Sequence, residues 1–284
     1  MQEQIFLKNL GNRIRTDIFG AASKHLDGST NGFSDVMDRL DEFKDLQRLA
    51  FNCCREISGL ITEGWTEIQA SRLMEQWLND HGVNRYFHKP FVWWGDRTRF
   101  RGVKNYKDYQ PTSRRIVANE VYILDVAPIM GGIVCDVGYT NVLGVHPEFE
   151  NARKYLLDLR ERMIQKIEGS LSASDLYSFV DRDVVEHGFE NIHKTYPFGV
   201  LAHRLRPIKE GFSAQFLHFG WQSYWDYLSR GLFGQILNQD YRGSIEGVWA
   251  IEPHVGGADF GAKFEEILVV SKDRTYWLEK NSWL

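Results

Sequence analysis

The order of elements readable along the chain predicts an α+β fold built from two similar halves. Two stretches with helical spacing lead into strands, and the same order then returns in the second half. Each half also contains an apolar strand pair, closed by a glycine-containing turn, that carries two acids. The repetition lies in the pattern of elements and not in the residues themselves.

Residues 1–36 are polar and punctuated by glycine and serine, and they read as an amino-terminal extension before a single domain over 37–284. Ser34 is placed to cap the helix that follows. From Asp35 to about Leu60, VMDRLDEFKDLQRLAFNCCREISGLI keeps apolar residues at helical spacing. After a glycine-containing break, Thr66 is a good cap for a second helix, with Glu67 in its first turn and Gly82 as its stop. RYFHKPFVWWG reads as a strand, and DRTRFRGVKNYKDYQPTSRR as a basic polar loop. In the second half, PEFENARKYLLDLRERMIQKIEG is a charged amphipathic helix and Ser174 begins another that ends at Gly188. The connection 209–247 is long and aromatic, and it must pack on the core or cover a site.

Composition narrows the function. The chain has 284 residues, 43% of them hydrophobic, and a formal net charge of -4 with dispersed basic residues. That balance argues against nucleic acid or an anionic membrane as the main partner. The amino terminus lacks the pattern of a secretory signal and no apolar run is long enough for a membrane span, so a cytoplasmic location is the expectation. Cys53, Cys54 and Cys135 form neither a disulfide framework nor a zinc motif and read as packing residues.

The acids carry the chemistry. Asp125 and Asp136 bracket YILDVAPIMGGIVCDVGYT, and Glu252 and Glu265 bracket AIEPHVGGADFGAKFEEILVV. The separations of 11 and 13 are both odd, so a hairpin with an even loop puts each pair on one face. Like charges facing each other in apolar strands need a cation, a shared proton or water. A divalent metal satisfies that need. The competing reading, four unrelated acids on solvated strand faces, suits one such pair better than two.

With these residues, the chain from about Leu40 to Val270 resembles the pita-bread metallopeptidase family, which includes methionine aminopeptidases, proline aminopeptidases and dipeptidases, and creatinase. EGWTEIQAS, LDVAPIMGGIVCDVGYT, VWAIEPHVGG and GAKFEEILVV are similar to its helix segment and its four metal-binding strands. The resemblance implies the pita-bread fold, two pseudo-repeated halves around a curved antiparallel sheet. It implies a metal-dependent hydrolase that cleaves a C–N bond in a small peptide or amide-like metabolite, with a homodimer among the assemblies expected. Asp125, Asp136, Glu252 and Glu265 become ligands for one or two divalent ions, with manganese or iron favoured over cobalt or zinc by oxygen-rich ligation. The short region before Leu40 implies absence of the separate amino-terminal domain of larger members.

The departures from the family pattern matter as much. The family's fifth ligand is a histidine seven residues before a substrate-contacting histidine. If His203 is the second, the ligand position falls on Tyr196, while His193 is three residues early. Tyr196 as a phenolate, or His193 or His203 brought to the metal by a small gap, are therefore the alternative ligands, and His203 and Glu252 are the candidate catalytic groups. The family's proton-relay histidine after the strand matching KPFVWWG has no counterpart in DRTRFRGV. Arg97, Arg99 and Arg101 in that loop are candidates for an anionic substrate group, with Trp221 and Trp225 as cover. Loss of these histidines also admits a second class, a peptide-binding or protein-binding pseudoenzyme, and a third, non-hydrolytic iron chemistry on the same scaffold.

Overall fold

The computed structural model describes residues 31–103, 106–169, 172–207 and 236–279. Helix α1 (Asn31–Met37) leads after a short turn into α2 (Leu40–Leu60) and α3 (Glu67–Asp80). Strands β1 (Arg85–Trp94), β2 (Val121–Met130), β3 (Ile133–Val134) and β4 (Val137–Val142) follow. The second half repeats the order with α4 (Pro147–Glu168) and α5 (Ala173–Glu186). Its strands are β5 (Glu190–Asn191), β6 (Ala202–Arg204), β7 (Ile236–Leu237), β8 (Gly247–Ile251), β9 (His254–Gly256), β10 (Gly261–Lys263), β11 (Glu266–Val270) and β12 (Thr275–Trp277).

The helices start and stop for local reasons. Thr66 closes a capping box, its hydroxyl accepting from the Gln69 amide at 3.1 Å while Gln69 accepts from the Thr66 amide at 2.9 Å. Ser34 lies inside α1 and caps nothing there, and α2 follows Arg39 without a side-chain cap. Ser172, two residues before the expected Ser174, caps α5 by accepting from the Asp175 amide. Phe43, Ala50, Phe51 and Ile57 on α2 join Tyr155, Leu156 and Leu159 on α4 in one buried core with the inner faces of the strands.

Both acid-bearing hairpins keep an unbroken register. In the first, Asp125 pairs with Gly138, Ile129 with Val134 and Met130 with Ile133, around a two-residue turn of Gly131 and Gly132. Both glycines have positive φ, 57° and 77°, which a turn matched to the twist of the strands requires. In the second, Ile251 pairs with Glu266 and His254 with Lys263, around the loop 257–260 closed by the Gly257 amide on the Phe260 carbonyl. The bridge Gly138 to Glu265 joins the two hairpins. Among the described residues all strand pairs are antiparallel, within sheets of four, three and five strands.

Candidate metal centre

These registers bring the four acids together. Asp125 and Asp136 are diagonal neighbours on one face of the first hairpin, and Glu252 and Glu265 directly oppose each other in the second. All four are buried. Beside them lie three bases. His88 comes from β1, where it pairs with Ala127, whose small side chain leaves room between the histidine and Asp136. His203 comes from β6 and Lys263 from the end of β10.

Bases and acids alternate around a closed ring. His88 Nε2 lies 3.3 Å from Asp125 Oδ1 and 3.2 Å from Asp136 Oδ1. His203 Nε2 lies 3.3 Å from Asp136 Oδ2 and 3.4 Å from Glu265 Oε1. Lys263 Nζ lies 2.8 Å from Glu265 Oε2 and 2.5 Å from Asp125 Oδ2, and reaches Glu252 Oε2 at 3.3 Å. Each oxygen of Asp125, Asp136 and Glu265 thus faces one base. Three bases face four acids in one buried cluster.

The electrostatics follow from this packing. Burial opposes charge on His88, but Asp136 and Asp125 outweigh it and raise the imidazole to about 9. Burial likewise opposes charge on His203, and Asp136 with Glu265 raises it to about 10. Burial raises Asp125 to about 6 against the pull of Lys263. Asp136 is held well below the usual carboxylate range because its two histidines overcome its burial. Burial and the Glu265 charge opposite push Glu252 well upward. His88 Nδ1 meets the Lys89 carbonyl at 3.0 Å and must donate to it, which leaves Nε2 facing the acids.

Two groups of ligand atoms, His88 with Asp125 and Asp136, and Asp136 with His203 and Glu265, each lie within 4.8 Å of one another. Each is a candidate site for one ion, and its histidine would have to be deprotonated to serve as a ligand. A pair of ions coordinated by all four acids does not fit this arrangement, because the Lys263 ammonium fills the space between Asp125, Glu252 and Glu265.

The other expected site residues are placed differently. His193 is fully buried against Tyr177 and belongs to neither ligand group, and burial lowers it to about 3, so it is neutral. Tyr196 gives its hydroxyl to His254 Nδ1 at 2.6 Å, and burial holds the phenol protonated, which opposes a phenolate ligand. Arg97 donates to fully buried Glu67 at 2.8 Å and to the Asp108 and Gln110 carbonyls. Arg99 is buried and donates to the Ala258 carbonyl and to Glu190. Both guanidiniums are taken up by acceptors within the protein. Arg101 is exposed and meets Glu190 at 3.1 Å. Trp221 and Trp225 lie outside the described residues, as does most of the 209–247 connection.

The arrangement of four acids on two hairpins can be set beside known proteins. The model for metallopeptidase family M24 matches residues 41–272. The chain belongs to that family. Its structure is similar to X-Pro aminopeptidase from Thermotoga maritima MSB8, with a TM-score of 0.63 at 15% identity over 86% of this chain and 61% of that one. It is similar to the prolidase from Pyrococcus horikoshii OT3, with a TM-score of 0.63 at 16% identity over 86% and 62%. Methionine aminopeptidase from Thermotoga maritima gives a TM-score of 0.59 at 14% identity over 86% of this chain and 97% of that one. The chain thus spans about three fifths of the length of the X-Pro aminopeptidase and the prolidase. No protein of curated function matches it in sequence. The M24 chain has the pita-bread fold, and its acid-bearing hairpins hold the two candidate ligand groups described above. Among the described residues no helix is long and apolar enough to cross a membrane.

Proposed function

We propose that this M24 protein is a metal-dependent hydrolase that cleaves a C–N bond in a small peptide or amide-like metabolite. The observation that supports the reading most is Asp136, whose two oxygens face His88 and His203 and which belongs to both ligand groups. His88, Asp125 and Asp136 would hold one ion, with manganese or iron favoured by the mixed oxygen and imidazole donors. Such an ion supplies a Lewis acid and a water acidified toward neutrality.

The protein's own groups then handle protons and position. His203 Nε2, at the edge of the cluster beside Asp136 and Glu265, would donate to the carbonyl oxygen as negative charge develops there. Glu252, pushed upward by burial and by Glu265, holds a proton that can pass to the leaving amine nitrogen. Lys263 and Glu265 fix the orientation of Glu252. The dry setting strengthens each of these interactions.

The closed ring of protein charges favours a second reading, a peptide-binding member that needs no ion. The test is hydrolysis of a panel of small dipeptides and amides by metal-free and manganese-supplemented protein, with His203→Ala as control. Manganese-dependent turnover lost in the variant supports the hydrolase. Peptide binding unaffected by manganese and without turnover supports the second reading.

A further inference from the structure

Lys263 occupies a place that the acids alone would give to an ion. Its side chain is 3% exposed, and its Nζ reaches Glu265 at 2.8 Å, Asp125 at 2.5 Å and Glu252 at 3.3 Å. Lysine is almost never this buried unless paired, and here a single ammonium serves three carboxylates drawn from both hairpins. We propose that Lys263 is a built-in cation that replaces one ion of the acid cluster and limits the centre to a single bound ion.

The surroundings fix the lysine there. Its backbone is held on both sides by Thr140, whose hydroxyl donates to the Lys263 carbonyl at 2.6 Å and accepts from the Lys263 amide at 3.0 Å. The side chain passes over Gly138, where a Cβ would lie 2.5 Å from Lys263 Cε and 3.1 Å from Glu265 Cβ. Gly138 is also the residue paired with Asp125, so the missing side chain opens the path from β10 to the aspartate. Period-two alternation puts Lys263 on the face of Glu265, two residues on, and opposite His254. Strand geometry therefore directs the ammonium into the cluster.

An ion placed between Asp125, Glu252 and Glu265 would have to share their oxygens with a fixed positive charge already in contact with all three, which is unfavourable in a buried site. The two histidine-containing groups keep Asp125 Oδ1 and Glu265 Oε1, the oxygens that Lys263 does not contact, and both use Asp136, so they offer one ion a place between them. This inference refines the metal centre invoked for hydrolysis, and its test reads ion number and not turnover.

The experiment is metal counting by elemental analysis after saturating metal-free protein with manganese and removing free ion, with wild type and Lys263→Ala side by side. Wild type should carry no more than one ion per chain, and Lys263→Ala one more than wild type. Two ions in the wild type, or a folded variant with the wild-type number, overturns the proposal. If Lys263→Ala fails to fold alone, added manganese should restore its circular dichroism, and failure to do so also overturns it. A wild type with no ion at all would defeat the metal-dependent hydrolase while leaving the increment in Lys263→Ala to decide the role of the lysine.

Discussion

His88 Nε2 stands 3.2 Å from Asp136 Oδ1, across the pairing of His88 with Ala127. This contact brings a side chain from the first strand into a centre otherwise built by the two hairpins. With Asp125 Oδ1 at 3.3 Å, it makes one of the two candidate ligand groups, and on the reading proposed above its imidazole would be a ligand once deprotonated. His88→Gln should therefore weaken manganese binding by at least about tenfold, the scale on which even supporting residues of metal sites act. His193→Leu should leave that affinity unchanged, since His193 lies in neither group. Competition titration against a chelating dye measures both, and equal losses in the two variants would remove His88 from the centre.

The pH dependence has a definite sign. His88 and His203 are raised to about 9 and about 10 in the metal-free fold, from an unfolded value of about 6.5. Their contribution to stability is fully present below about pH 6.5 and is lost as pH rises through about 9 to 10. Metal binding runs the other way, strengthening as pH rises, because the ion must displace the imidazole proton. Thermal unfolding of the metal-free protein across this window should show a decline that is shallower in His88→Gln. Identical slopes in wild type and variant would place the titration elsewhere.

Arg97 is predicted to act on stability and not on substrate. Its partner Glu67 is fully buried and also accepts from the Trp94 and Thr112 amides, so it retains some partners when the arginine is lost. Arg97→Met should cost about 3 kcal/mol, the lower end for breaking a buried pair. Arg101→Met, at an exposed pair with Glu190, should change stability by less than about 1 kcal/mol. Urea unfolding separates the two, and a stable Arg97→Met protein with selectively impaired use of acidic amides would restore Arg97 to the substrate.

Gly138→Ala is predicted to destabilise the protein by about 1–3 kcal/mol through overpacking. The added methyl meets Lys263 Cε and Glu265 Cβ, both held by the cluster and by Thr140. Unfolding midpoints close to wild type would mean that the lysine side chain has room to move aside.

Much of this centre was legible along the chain. Gly131 and Gly132 fix an even loop, and so does the 257–260 closure, so the odd separations of the acids put each pair on one face as strand geometry requires. His88 was hidden because it belongs to another strand, whose pairing with β2 shifts register between His88 and Phe91. A histidine within the apolar run RYFHKPF was its only local signal. Lys263 was visible in GAKFEEILVV, two residues before Glu265 on the same strand face, where a lysine needs a partner. The arginines of DRTRFRGV looked available for an anion because the buried Glu67 and the turn toward Glu190 are tertiary facts. The helix start expected at Ser174 was displaced because Ser172, an equally good cap, lies two residues upstream, whereas Ser34 falls inside a helix that already runs over Asn31–Met37.

The central claim is that Asp136 organises a metal centre on which hydrolysis depends. Its most direct test is the metal content of protein purified without added metal and then saturated with manganese, comparing wild type with Asp136→Ala after circular dichroism has confirmed equal helical content. The account predicts one ion per wild-type chain and none in Asp136→Ala. Equal metal content in the two proteins, or none in the wild type, would contradict it.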